Sequence, residues 1–256
     1  MLRSFFSAFL MYSRIPMPKC EWKEENRRYS LGFFPLVGAV IGALIMFWRL
    51  LCERLETGQF IFSVGAVFLP VLVTGGIHID GFCDVTDARA SFADQKKRLE
   101  ILSDPHIGSF AAMRICLYFL AQTALFSKVV NVREAAFIAC GYVLARALNG
   151  ASAILFKAAK NNGTLQSFVK PSHKKITLCM ELFFIAAAAV TMGILYPLHG
   201  IVCISASGIV LLYCKRIAYR EFGGYTGDIC GWFLQICEIV FLAVFVFLNL
   251  ITEAIK

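Results

Sequence analysis

The sequence predicts an all-α polytopic membrane protein of about seven transmembrane helices, with its N-terminus cytoplasmic and its active site at the cytoplasmic face. Three observations carry that prediction. Apolar residues make up 59% of the 256 residues and charged residues only 16%, with a mean hydropathy of +0.70, far from the balance of a water-soluble domain. The apolar residues fall into runs close to the ~20 residues that a helix needs to cross a bilayer. The cations responsible for the net charge of +8 gather in short segments between those runs. That arrangement reads as topology and as contact with anionic lipid or phosphorylated ligands. A lipid bilayer is therefore an expected partner, and nucleic acid is not.

Residues 1–12 are apolar, carry Arg3 near the start, lack a small-residue cleavage site and are followed by basic residues. They read as an amphipathic or re-entrant segment on the cytoplasmic surface rather than a cleaved signal. The first span is 31–51, where Gly38 and Gly42 form a small-xxx-small pair suited to close helix contact. The second is 60–77, the third 109–130, the fourth 135–156 and the fifth 176–198. The sixth, 200–214, is short, and Pro197 to Gly200 read as a tight turn before it. The last is 232–251. His173 and His199 read as loop residues. No repeat or low-complexity tract breaks the chain, so 1–256 reads as one domain. The ten cysteines are scattered without any CxxC pair and read as apolar packing residues.

Charge placement orients the bundle. With the N-terminus inside, eighteen lysines and arginines fall on the inner side: six before residue 31, four in 89–98, five in 157–175 and three in 215–220. Five fall outside: Arg49, Arg54, Lys128, Arg133 and Lys256. The excess marks the inner side as cytoplasmic, and it gathers the polar loops after the second and sixth spans on that face.

The polar stretch with most chemistry follows the second span. Gly75, Gly76, His78, Asp80, Gly81, Asp84 and Asp87 lie within 75–88. Asp80, Asp84 and Asp87 are spaced four and three apart, so on a helix they share one face. Hard oxygen donors of this kind suit Mg²⁺, completed by water and substrate phosphate; a solvated acidic helix end is the alternative. Further on, Asp104 and His106 flank Pro105. Asp104 is either a further carboxylate for the cluster or, with Ser103, a cap for the third span. The stretch 221–231 holds Gly223, Gly224, Tyr225, Thr226, Gly227 and Asp228. It is similar to loops whose backbone N–H groups cradle phosphate, but no lysine follows to make it a Walker motif. Glycine-rich turns between spans are also common for structural reasons alone.

Arg114, Arg146 and Asn149 lie inside apolar runs, and Gln235 and Glu238 lie early in the last one. Ionisable groups in a bilayer face a polar cavity or one another. Arg114–Glu238 and Arg146–Glu181 are candidate pairs; alternatively the arginines, with Arg14 of the Ser13-Arg14-Ile15-Pro16 segment, bind phosphate. Carboxylates for a metal, arginines and a glycine loop for phosphates together point to phosphoryl chemistry.

The motif at 75–88 resembles the signature of the cobalamin synthase family, the adenosylcobinamide-GDP ribazoletransferases. Three further segments fit the family in the same order: 13–16, 102–108 and 223–231. Cys83 stands where alanine is common, and Ser103 where a lysine is common before Asp-Pro; the serine removes one phosphate contact. The resemblance implies a Mg²⁺-dependent phosphotransferase of the bacterial cytoplasmic (inner) membrane. It joins adenosylcobinamide-GDP to α-ribazole or its 5′-phosphate and releases GMP, completing the nucleotide loop of cobalamin. It implies Asp80, Asp84, Asp87 and Asp104 as metal ligands and His78 or a carboxylate as base. Arg14, Arg114, Arg146, Gly223, Gly224, Thr226, Gly227 and Asp228 are the candidate substrate contacts. A second copy of the chain and other late enzymes of cobalamin synthesis are candidate partners. The nearest competing reading is a CDP-alcohol phosphotransferase, whose carboxylates follow Asp-Gly at longer intervals. A cation transporter is the third, and it would need its acidic residues near the bilayer midplane.

Overall fold

The computed structural model describes residues 1–160 and 163–255; Lys256, one of the five cations assigned to the outer side, and residues 161–162 of the polar segment 157–175 lie outside them. Among the described residues the architecture is helical, with one isolated parallel bridge between Ala158 and Tyr225. Helices α1 (Leu2–Tyr12) and α2 (Glu24–Arg27) precede α3 (Phe34–Arg54). A corner joins α4 (Gln59–Thr74) to α5 (Ile77–Ala90), and the short α6 (Gln95–Ile101) leads into α7 (Ser109–Phe126) and α8 (Val132–Leu155). The short α9 (Thr164–Val169) is followed by α10 (Lys174–Leu195), α11 (Pro197–Glu221) and α12 (Gly227–Ala254).

Six of these helices are long and apolar enough to cross a membrane; α4 joins them as a seventh if it is taken with α5, from which it is bent by 95°. The perimeter fits a lipid environment. Phe68, Leu72, Leu120, Phe183 and Ile194 are all exposed apolar side chains, a surface that water would penalise. At the centre, α3 packs on α8 as the glycine spacing predicts. A Cβ on Gly38 would stand 2.5 Å from the Tyr142 carbonyl oxygen, and one on Gly42 2.6 Å from Ala139 Cβ.

The rods alternate in direction. At one end Gln59 bonds the carbonyls of Phe126 and Val129, and Arg133 bonds that of Leu195. At the other, the Arg14 N–H donates to the Val73 carbonyl at 2.7 Å. There too Glu221, closing α11, pairs with Arg89 of α5 and Arg98 of α6. Thus α1, α5, α6 and the start of α12 share one end, and the C-terminal turn of α12 lies at the opposite one.

Four expectations change. The sixth span is not short: α11 has 25 residues, because Pro197 begins it at a position where its missing N–H costs no hydrogen bond. His199 accordingly lies within that helix, buried against Phe137, Tyr196 and Phe245, rather than in a loop. The last span starts at Gly227, five residues before Trp232, and absorbs half of the glycine-rich stretch. The acidic motif is itself a helix. Its separation from α4 rests on Gly75 and Gly76, both left-handed at φ +64° and +81°, a conformation that costs glycine little.

Candidate active site

Helix α5 lies across the end of the bundle and packs on α12 through a pair of glycines. A Cβ on Gly81 would stand 2.7 Å from the Asp228 carbonyl oxygen, and one on Gly231 2.8 Å from that of His78. This close crossing brings Asp228, in the first turn of α12, beside the acidic face of α5. Asp80, Asp84 and Asp228 all line one open basin of about 790 Å³. Arg14, Asp104 and His106 stand on its wall. Asp84 is half-buried, and its carboxyl is pushed up to about 7, first by burial and then by the charges of Asp80, Asp228 and Asp87. Three mutually repelling carboxylates on one open basin are a donor set suited to a hard cation. Among the described residues, no three His, Cys, Asp or Glu side chains already converge as a metal shell. The fit is therefore to Mg²⁺ held by one or two carboxylates, with phosphate and water completing it.

The family model described as cobalamin-5-phosphate synthase matches residues 4–246. The chain belongs to this family. An adenosylcobinamide-GDP ribazoletransferase of Lachnoclostridium phytofermentans is 38% identical over 240 residues, 93% of this chain and 91% of the relative. One of Clostridium perfringens (strain 13 / Type A) is 28% identical over 232 residues, 89% and 91% of the two chains. One of Treponema denticola is 27% identical over 264 residues, 97% and 99%. No solved structure matches the chain. Membership in the cobalamin-5-phosphate synthase family sets aside the CDP-alcohol phosphotransferase and transporter readings.

Within this family member the expected site residues divide. Asp87 shares the helical face of Asp80 and Asp84 but does not line the basin. One turn further along, its oxygens accept the N–H groups of Gly108 (2.5 Å) and Ala111 (2.9 Å). It thereby caps α7 from another helix and satisfies donors that a helix start leaves orphaned. Asp104 is exposed and holds His106 instead of joining α5: its Oδ1 accepts the His106 N–H at 2.9 Å and lies 2.8 Å from Nδ1. The backbone bond is the chief reason its carboxyl sits below the usual range.

The two intramembrane arginines do not reach the basin. Arg146 is 1% exposed and pairs with Glu238 of α12, so neither proposed pairing holds; its charge balances another inside the bundle. Arg114 is exposed on α7 and lines neither the basin nor the cavity behind it. Arg14 does face the basin, its side chain lying over Gly75 at the α4–α5 corner.

The glycine stretch serves folding more than phosphate. Gly223 and Gly224 have φ +74° and +156°. The Gly224 N–H closes α11 on the Ala218 carbonyl, and the Tyr225 N–H bonds that of Lys157. Neither glycine lines the basin. Thr226 caps α12, accepting the Ile229 N–H at 3.2 Å. Thr226, Gly227 and Asp228 face a smaller side cavity that also holds Lys160. Lys160 escaped sequence reasoning, because it stands among many loop cations. His78 is buried, and burial, aided by the charge of Arg146, pushes its imidazole down to about 3.

Proposed function

We propose that the basin carries out the adenosylcobinamide-GDP ribazoletransferase reaction through Asp80, Asp84 and Asp228. The observation behind this reading is that those three carboxylates line one open basin with Arg14 on its wall. A ribose hydroxyl oxygen of α-ribazole, or of its 5′-phosphate, forms a bond to the cobinamide-side phosphorus of the diphosphate. The bond from that phosphorus to the bridging oxygen breaks, and GMP leaves with the electron pair. The hydroxyl proton passes to a carboxylate of the cluster, since His78 lines the cavity behind the basin and not the basin itself. Arg14 binds diphosphate oxygens. Asp80 and Asp84, with Asp228 beside them, would hold Mg²⁺, which would supply positive charge to the diphosphate and to the departing phosphate.

The cation-rich segments 1–28, 89–98 and 215–220 belong to the basin's end of the bundle. That supports a cytoplasmic basin in the inner membrane, open to soluble nucleotides. Turnover of adenosylcobinamide-GDP with α-ribazole 5′-phosphate in proteoliposomes, followed by GMP release, tests the reading. Metal-dependent product from wild type, and a loss of about a hundredfold or more in folded Asp84→Asn, is the expected result. No product from folded wild type would defeat it.

A further inference from the structure

Behind Asp80 and Asp228 a second cavity of about 240 Å³ runs into the bundle. Its walls are aromatic and apolar. Tyr12 and Phe34 pack with ring centroids 4.3 Å apart, Tyr12 and Phe168 at 5.9 Å, and Phe34 and His78 at 5.6 Å. These residues come from α1, α3, α5 and α9, so the slot exists only in the assembled fold.

Two of its polar lining residues, Asn149 and His78, each carry a buried atom without a partner. Asn149 is 3% exposed and donates through Nδ2 to the Cys230 carbonyl, while its Oδ1 has no partner. His78 is 6% exposed and its Nε2 has none. Behind the wall at Gly150 lies Glu181, fully buried with both oxygens unpaired; a Cβ on Gly150 would stand 2.0 Å from its Oε1. Buried polar atoms are normally paired, and several orphans around one apolar slot mark a place that binds something flat with a polar edge.

We propose that this cavity is the acceptor subsite: it takes the bicyclic aromatic base of the ribazole nucleoside and leaves its ribose at the mouth, between Asp80 and Asp228. The assignment rests on the ribazoletransferase reading and adds which substrate goes where. Charge and size separate the two. The diphosphate needs the open, charged basin with Arg14, whereas a neutral ring gains from stacking and burial among Tyr12, Phe34 and Phe168. His78 and Asn149 then supply a donor and an acceptor to the ring edge, and the ribose hydroxyl points toward the carboxylates. Asp80 and Asp228 line both cavities, which places the reacting atoms at their junction.

The test is steady-state kinetics on the full-length protein in nanodiscs, with each substrate varied separately. Ala153 lines the slot, and Ala153→Phe fills it. The expected result is a KM for α-ribazole 5′-phosphate raised about tenfold, with that for adenosylcobinamide-GDP within about twofold. Phe168→Ala, on the short α9 away from the spans, is the second variant and should move the same constant in the same direction. Free benzimidazole should inhibit wild type competitively against the nucleoside. An unmoved nucleoside KM in both folded variants, or equal movement of both KM values, overturns the subsite while leaving the reaction standing. So does benzimidazole competing with adenosylcobinamide-GDP instead. Wild type without turnover overturns the ribazoletransferase reading and the subsite with it.

Discussion

Asp84 and Asp87 stand three positions apart on α5, and their surroundings give them different work. Asp84 faces the basin among other carboxylates, so the fold favours its protonated form and lifts it to about 7. A carboxyl raised from its ordinary range gives the folded state stability at low pH, and loses it as pH climbs from about 4 through about 7. In EDTA, the thermal midpoint of wild type should therefore fall between about pH 5 and pH 8 more steeply than that of Asp84→Asn. Added Mg²⁺ should recover more of the loss in wild type, and a differential melting series checks both. Asp87 instead holds the start of α7 through two backbone donors. Asp87→Ala should cost about 0.5–2 kcal/mol, read as a lower unfolding midpoint at every Mg²⁺ concentration. A metal-binding role would instead show as a change in Mg²⁺ dependence. The spacing of the aspartates made their common face legible in the sequence. Which of them reached another helix was not, because that depends on where α7 begins in space.

At the scale of elements, the site depends on how closely α5 and α12 cross. Gly81 meets the Asp228 backbone and Gly231 that of His78, so added volume at either position separates the carboxylates of the two helices. Gly81→Val should lower kcat by about tenfold or more, since misplacement of about 1 Å at a reacting centre is costly. Its melting point should fall as well, by the about 1–3 kcal/mol of an overpacked contact. Retained kcat in a folded Gly81→Val would show that the crossing does not position Asp228. The sequence showed helical spacing within the acidic motif, and a span suited to close helix contact at Gly38 and Gly42 without saying which helix meets it. It did not show the full length of α11, because Pro197 reads equally as a turn and as a helix start. Nor could it show that Gly223 and Gly224 close α11, since the same composition suits a phosphate loop. The Arg146–Glu238 partnership joins residues 92 positions apart, and only packing decides among the available charges.

At the scale of the molecule, the six or seven rods among the described residues present their chemistry at one end, which places the C-terminal turn of α12 at the other. A reporter active only outside the cytoplasm, fused after residue 256, should therefore be active in cells, and the same reporter placed in 91–94 should be silent. The reverse pattern would turn the basin outward and defeat the cytoplasmic assignment. Composition and the lengths of the apolar runs made the helical, multi-span character readable before any coordinate, because the bilayer constrains length more tightly than water does. The cavities were not readable, since their walls come from helices distant in sequence.

The corner at Gly75 and Gly76 leaves α4 with 16 residues, about 24 Å of helix against a hydrocarbon layer of about 30 Å. That length predicts a seat for the acidic helix below the level of the lipid headgroups. A substrate that reaches the basin from water would then have to descend to it. Bilayer thickness then becomes a variable of the rate. Vesicles of shorter acyl chains should raise turnover and longer chains depress it, with the protein itself unchanged.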